Sequence, residues 1–132
     1  MTLRIVRLGS TRAPDEGLRL GTVRRPPRGV PKSEFASGNW YDVWLPVLAP
    51  SNELVKAAQN AATPQAWAAF VRKYRAEMAA PDAAHTLELL AALSHHTNLS
   101  VGCYCAEEAH CHRSVLRALL AEKGAAVAEA GS

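Results

Sequence analysis

A single late apolar run, Leu99-Ser100-Val101, passes directly into Gly102-Cys103-Tyr104-Cys105-Ala106-Glu107-Glu108-Ala109-His110-Cys111-His112-Arg113 and then into a helical pattern. A strand-like start and three helical patterns precede it. This order of elements favours an α/β domain with a small, partly parallel sheet. The carboxyl end of the late strand is the place where open α/β folds bind ligands. The same junction holds all three cysteines and two of the five histidines.

The other segments agree with that frame. Residues 3–8 read as a first strand closed by Gly9-Ser10, and residues 18–23 as a second. Residues 24–37 hold three prolines and one glycine, which exclude long regular structure. Residues 40–45 are aromatic and β-prone up to Pro46, as suits a short edge strand. Trp40 and Trp44 are expected in the core. A short helix follows Ser51 over 53–60, and a longer one starts at Thr63-Pro64 and runs to Met78. Trp67, Phe70, Val71, Tyr74 and Met78 share one face of it. Asp82 is read as the cap of a third helix, with Leu87, Leu90, Ala91 and Leu93 inward. The buried strand covers 99–104. The last helix covers 111–123, with Leu116, Leu119 and Leu120 inward and Gly124 as its stop. These elements predict one α/β domain over residues 1–124, a small, partly parallel sheet flanked by helices in Rossmann-like layering. Residues 125–132 are expected to fray.

Composition narrows the class. The 132 residues are 48% hydrophobic, which excludes wholesale disorder. No apolar run approaches the roughly 20 residues of a membrane span, and Met1-Thr2-Leu3-Arg4 lacks the apolar core of a signal peptide. A cytoplasmic protein with no membrane partner is expected, whose cysteines are thiols or metal ligands rather than disulfides. Net charge is +3, but residues 1–32 carry eight Lys/Arg against Asp15 and Glu16. Four of those cations lie in the proline-stiffened stretch 24–32. That pattern fits a site for a small anion. Without a basic tail or a repeated basic–aromatic pattern, binding to nucleic acid is expected to be weak at most. Nothing in the pattern sets an oligomeric state.

Three chemistries suit the cysteine junction. In the first, Cys111 starts a helix whose N–H groups and dipole favour a thiolate. His112 or His110 is its acid/base partner, and Arg113 adds a fixed positive charge. Arg25 and Arg28, together with Arg113 and Ser10, would then hold an anionic ligand, a nucleotide or another phosphorylated compound. The outline His110-Cys111 with Arg117 matches that of cysteine phosphatases, but residues 112–116 lack the glycines with which such loops wrap phosphate. In the second, Cys103, Cys105, Cys111 and His112 hold zinc in a non-catalytic or nucleic-acid-interacting module, although the spacing Cys-x-Cys-x5-Cys-His is unusual. In the third, the sulfurs only fill a core. The anionic-ligand reading leads, with no cofactor favoured and zinc possible. No reaction is named by the pattern.

Taken together, Val23-Arg24-Arg25-Pro26-Pro27-Arg28-Gly29-Val30-Pro31-Lys32, Tyr41-Asp42-Val43-Trp44-Leu45-Pro46 with Ala49-Pro50-Ser51, the set Trp67, Phe70, Tyr74 and Glu77, and the Cys-Tyr-Cys…Cys-His-Arg end resemble bacterial proteins of the domain of unknown function 488 family. The resemblance extends from residue 3 to about 124. It implies a single α/β domain with the arginine loop and the Cys-His-Arg corner as candidate site elements.

Overall fold

The computed structural model describes residues 1–129. It contains β1 (Leu3–Arg7), β2 (Leu18–Gly21), β3 (Val43–Trp44), α1 (Asn52–Gln59), α2 (Pro64–Met78), α3 (Pro81–Leu93), β4 (Leu99–Cys103) and α4 (His112–Glu122), with single 3-10 turns at Lys32–Glu34, Pro46–Leu48 and Glu108–His110. The four strands form one sheet in the order β1-β4-β2-β3, and every pairing is parallel. The last strand in sequence is therefore inserted between the first two. Arg7 pairs with Cys103, and Gly21 with Gly102, so the carboxyl ends of β1, β2 and β4 open at one edge.

β4 is buried at all five positions, which suits a central parallel strand covered on both faces. Gly102 permits this packing. A Cβ there would lie 2.7 Å from Leu8 Cδ2 and 2.9 Å from the Val6 carbonyl oxygen. The main core joins Leu3, Leu20, Leu99 and Val101 of the sheet to Phe70, Tyr74, Leu87, Leu116 and Leu120 of the helices. A smaller cluster of Leu8, Val23, Tyr41, Cys103 and Cys111 lies beyond the strand ends, with Phe35, Trp40 and Tyr104 against it.

Local signals place the helix starts. The Ser51 side chain accepts from the Leu54 N–H, and that of Thr63 from the Ala66 N–H ahead of Pro64. Asp82 is not a cap: the cap residue of α3 is Ala80, Pro81 takes the first position, and Asp82 sits in the first turn where the helix dipole favours a carboxylate. Leu93 is 37% exposed at the end of α3, and Trp44 is 42% exposed, because β3 is an edge strand two residues long. The Trp44 Nε1–H donates to the Val23 carbonyl at 2.7 Å.

The expected fraying of 125–132 falls partly on 130–132, which lie outside the described residues. Before them, the Leu3 N–H donates to Ala126 O, and the Ala128 N–H to Leu3 O, both at 2.8 Å. No helix among the described residues is long and apolar enough to cross a membrane.

Candidate functional site

Arg19 organises one side of the strand ends. It is completely buried, and Glu16, 3% exposed, faces it with both carboxylate oxygens at 2.7 and 3.0 Å. Its remaining NH1 group donates to Ser10 O and Asn39 O at 2.9 and 2.7 Å. One guanidinium thus ties together the loop after β1 and the turn before β3. The Ser100 hydroxyl donates to Glu16 at 2.7 Å. Burial raises the Glu16 carboxyl, and its bonds from Arg19 and Ser100 more than offset this, so it titrates below its ordinary value.

Half of the eight cations in the basic first quarter are consumed inside the fold. Arg4 pairs with Asp15, Arg12 with Asp42 and Arg19 with Glu16. Arg24 donates to the carbonyls of Ala49 and Pro50, both at 3.0 Å. Among the described residues, Arg7, Arg25 and Arg28 face no carboxylate partner. All three are exposed and line one cleft of about 800 Å³ with Ser10, Trp40 and Tyr104.

A second cavity, of about 270 Å³, adjoins this cleft. Arg24, Arg25, Tyr104, His110, His112 and the three cysteines are among its walls. Arg25 and Tyr104 line both spaces. The Tyr104 hydroxyl donates to the Arg25 carbonyl at 2.8 Å and so fastens the arginine loop to the end of β4.

Cys103 ends β4, and Cys111 occupies the cap position of α4, its side chain making no cap bond. Cys103 and Cys111 are buried, whereas Cys105 is exposed. The Sγ atoms of Cys103 and Cys105 are 3.8 Å apart, as are Cys111 Sγ and His112 Nδ1. The ligand atoms of Cys103, Cys111 and His112 all lie within 4.8 Å of one another, a cluster able to hold a metal ion. His112 Nε2 donates to the Thr22 carbonyl at 2.7 Å, which makes Nδ1 the ring nitrogen that faces the sulfurs. The sulfurs share their protons unequally. Hydrogen bonding to Cys105 and Cys111 holds the Cys103 thiol far above its ordinary value. Bonds from Cys103 hold Cys105 and Cys111 below theirs, and the Arg113 charge adds to the effect at Cys105.

The remaining expected site residues are placed as follows. Arg113 is 4% exposed and lines neither cavity. Its NH2 group donates to Cys105 O at 2.7 Å, and its buried Nε has no partner. His110 is exposed, 3.3 Å from Glu107, with its ring edge-on to Trp67. Arg117 turns away to Glu108 at 2.6 Å, so the phosphatase-like spacing corresponds to no phosphate loop. Arg7, Arg24, Tyr104 and Thr22 were not singled out by the sequence. Tyr104 carries a signal there, as the residue between two cysteines at a strand end, and Arg24 as one of the four cations of the basic stretch 24–32. The others are brought in by register or by a backbone carbonyl.

No curated protein and no solved structure matches the chain. A family model described as the active DUF488-N3 subclade matches residues 3–124, the span that holds the whole sheet, all four helices and both cavities. With that match over nearly its full length, the chain belongs to the DUF488 family.

Proposed function

We propose that the protein binds a small anionic ligand, a nucleotide or another phosphorylated compound, in the arginine cleft. The cysteine cavity beside it receives the uncharged part of the ligand. The observation that carries this reading is the convergence of Arg7, Arg25 and Arg28 on one cleft with no carboxylate partner among the described residues. Guanidinium forks match phosphate oxygens, and Trp40 and Tyr104 offer aromatic surface beside them. The site lies outside the carboxyl ends of parallel strands, where α/β sheets take ligands.

Calorimetric titration with AMP, adenosine and inorganic phosphate tests the reading. AMP is expected to bind, with adenosine weaker by tenfold or more. Arg25→Ala and Arg28→Ala should each weaken AMP by about tenfold, or about 1.4 kcal/mol. Equal binding of AMP and adenosine, or no binding of AMP or phosphate, overturns it.

The Cys/His cluster favours a second reading, a bound zinc ion, because a carbonyl on His112 Nε2 presents Nδ1 as ligating metal-site histidines present theirs. A metal-bound Cys111 is not a free nucleophile. Iodoacetamide therefore separates zinc from the thiolate chemistry expected of that residue: under zinc, Cys111 is labelled only after chelation.

A further inference from the structure

Resting on the zinc reading of the cluster, we infer that the ion is held by four side chains, Cys103, Cys105, Cys111 and His112, in a closed tetrahedron whose negative charge is balanced by the buried Arg113. Sulfurs about 2.3 Å from one tetrahedral zinc stand about 3.8 Å apart. Cys103 and Cys105 already have that separation, and Cys111 Sγ has the same spacing from His112 Nδ1. Cys105 is exposed and touches the trio at Cys103, outside the set whose ligand atoms all lie within 4.8 Å of one another, so its side chain must turn inward to close the coordination.

Charge selects four ligands over three. Zinc(II) with two thiolates and a neutral imidazole is uncharged, and a third thiolate gives the site one net negative charge. Arg113 is a buried cation with no carboxylate partner among the described residues and an unpartnered Nε. An uncompensated buried charge is strongly unfavourable, and the third thiolate removes that cost. The same guanidinium holds the Cys105 carbonyl at 2.7 Å, so it also positions the peptide that carries the fourth ligand. On binding, the three thiol protons pass to solvent and three Zn–S bonds and one Zn–N bond form.

A closed site has no open position for water or substrate, and its role is architectural. It joins the end of β4 to the start of α4. Through Tyr104, which lies between two of its ligands, it holds the arginine loop by the Arg25 carbonyl. The anion cleft is then organised by zinc without zinc touching the anion.

X-ray absorption spectroscopy on the full chain purified without added metal tests this. The expected result is one zinc per chain with three sulfur neighbours at about 2.3 Å and one nitrogen at about 2.0–2.1 Å. Two sulfurs, one nitrogen and one oxygen would overturn the assignment of Cys105 while leaving the zinc reading in place. A metal-free protein that takes up no zinc on titration overturns both. Arg113→Met is expected to weaken zinc by about 10–100-fold in competition with a chromophoric chelator. Unchanged affinity in that variant, with an unchanged cobalt-substituted spectrum, removes Arg113 as the counter-charge.

Discussion

Arg19 and Arg113 are withdrawn from water to nearly the same extent, 0% and 4% exposed, yet they are held in opposite ways. Arg19 meets both oxygens of Glu16 and two backbone carbonyls, so its charge and its donors are satisfied within the described residues. Arg113 has one carbonyl and a bare Nε, and the carbonyl it grips belongs to Cys105, whose sulfur lies 3.8 Å from that of Cys103. Burial by itself does not tell a structural arginine from one that serves a site. The identity of the counter-charge does, because a guanidinium removed from water needs an anion and a carboxylate supplies one permanently. A thiol supplies one only as a thiolate or on a metal.

The largest expected effect concerns the Arg19 side. Arg19→Met leaves Glu16 buried and unpaired and should cost about 3–5 kcal/mol in chemical denaturation. The double variant Glu16→Leu/Arg19→Met should recover much of that loss. If it is as unstable as the single variant, the pair is not the relevant unit.

The next effect belongs to the Arg113 side. Removal of the proposed zinc by a strong chelator should lower stability by about 2.7 kcal/mol relative to free zinc held at a hundred times its dissociation constant. Matched thermal melts with and without chelator measure this. The Arg19→Met variant should lose a similar further amount on chelation, because the two regions do not share partners. Identical melts with and without chelator would erase the contrast drawn between the two arginines.

Acid provides a smaller and graded test. Glu16 and Asp42 both titrate below their ordinary values of 4.5 and 3.8. For Asp42 burial opposes the shift, and the Arg12 bond with the Arg19 N–H outweighs it. Groups depressed in the folded state stabilise it fully above their unfolded pKa. That contribution is lost as pH falls through the folded pKa. Stability should therefore decline from about pH 4.5 downwards, and Glu16→Gln should flatten the slope. A profile unchanged by that substitution excludes Glu16 as its source.

The smallest effects are expected in the arginine cleft. Arg25→Ala and Arg28→Ala should leave stability within about 0.5 kcal/mol, because both residues are exposed and neither pairs with a carboxylate. Short oligonucleotides followed by fluorescence anisotropy should bind no tighter than about 10⁻⁴–10⁻⁶ M at physiological salt. Nanomolar binding that survives that salt would make the cleft a nucleic-acid surface.

Much of the fold was legible because it is written in local chemistry. The spacing of Phe70, Tyr74 and Met78 marks the buried face of α2, and Ser51, Thr63 and Pro64 mark helix starts. Asp82 misled because a side chain able to cap is also a good first-turn residue, and Pro81 had already taken the first position. Trp44 misled because aromatic character does not reveal that a strand is two residues long and at an edge. The cysteine junction was visible as a strand-to-helix corner. Its partners were not: Thr22 contributes only a carbonyl, and Arg7 reaches the cleft only because β1 pairs with β4.

Composition, periodicity and end signals determined the α/β class, the four helices, and a sulfur-rich corner beyond a buried strand, since each depends on residues within a few positions of one another. Which cations remain free was decided largely by tertiary structure, the Glu16–Arg19 pair being the local exception. Eight basic residues look alike in the first quarter of the chain, and three of them are neutralised by carboxylates 11, 30 and 3 positions away. Electrostatic pairing acts through space, and the two longer separations are closed by tertiary structure, in which β4 is inserted between β1 and β2. The same insertion made Arg25 and Tyr104 walls of both the arginine cleft and the cysteine cavity.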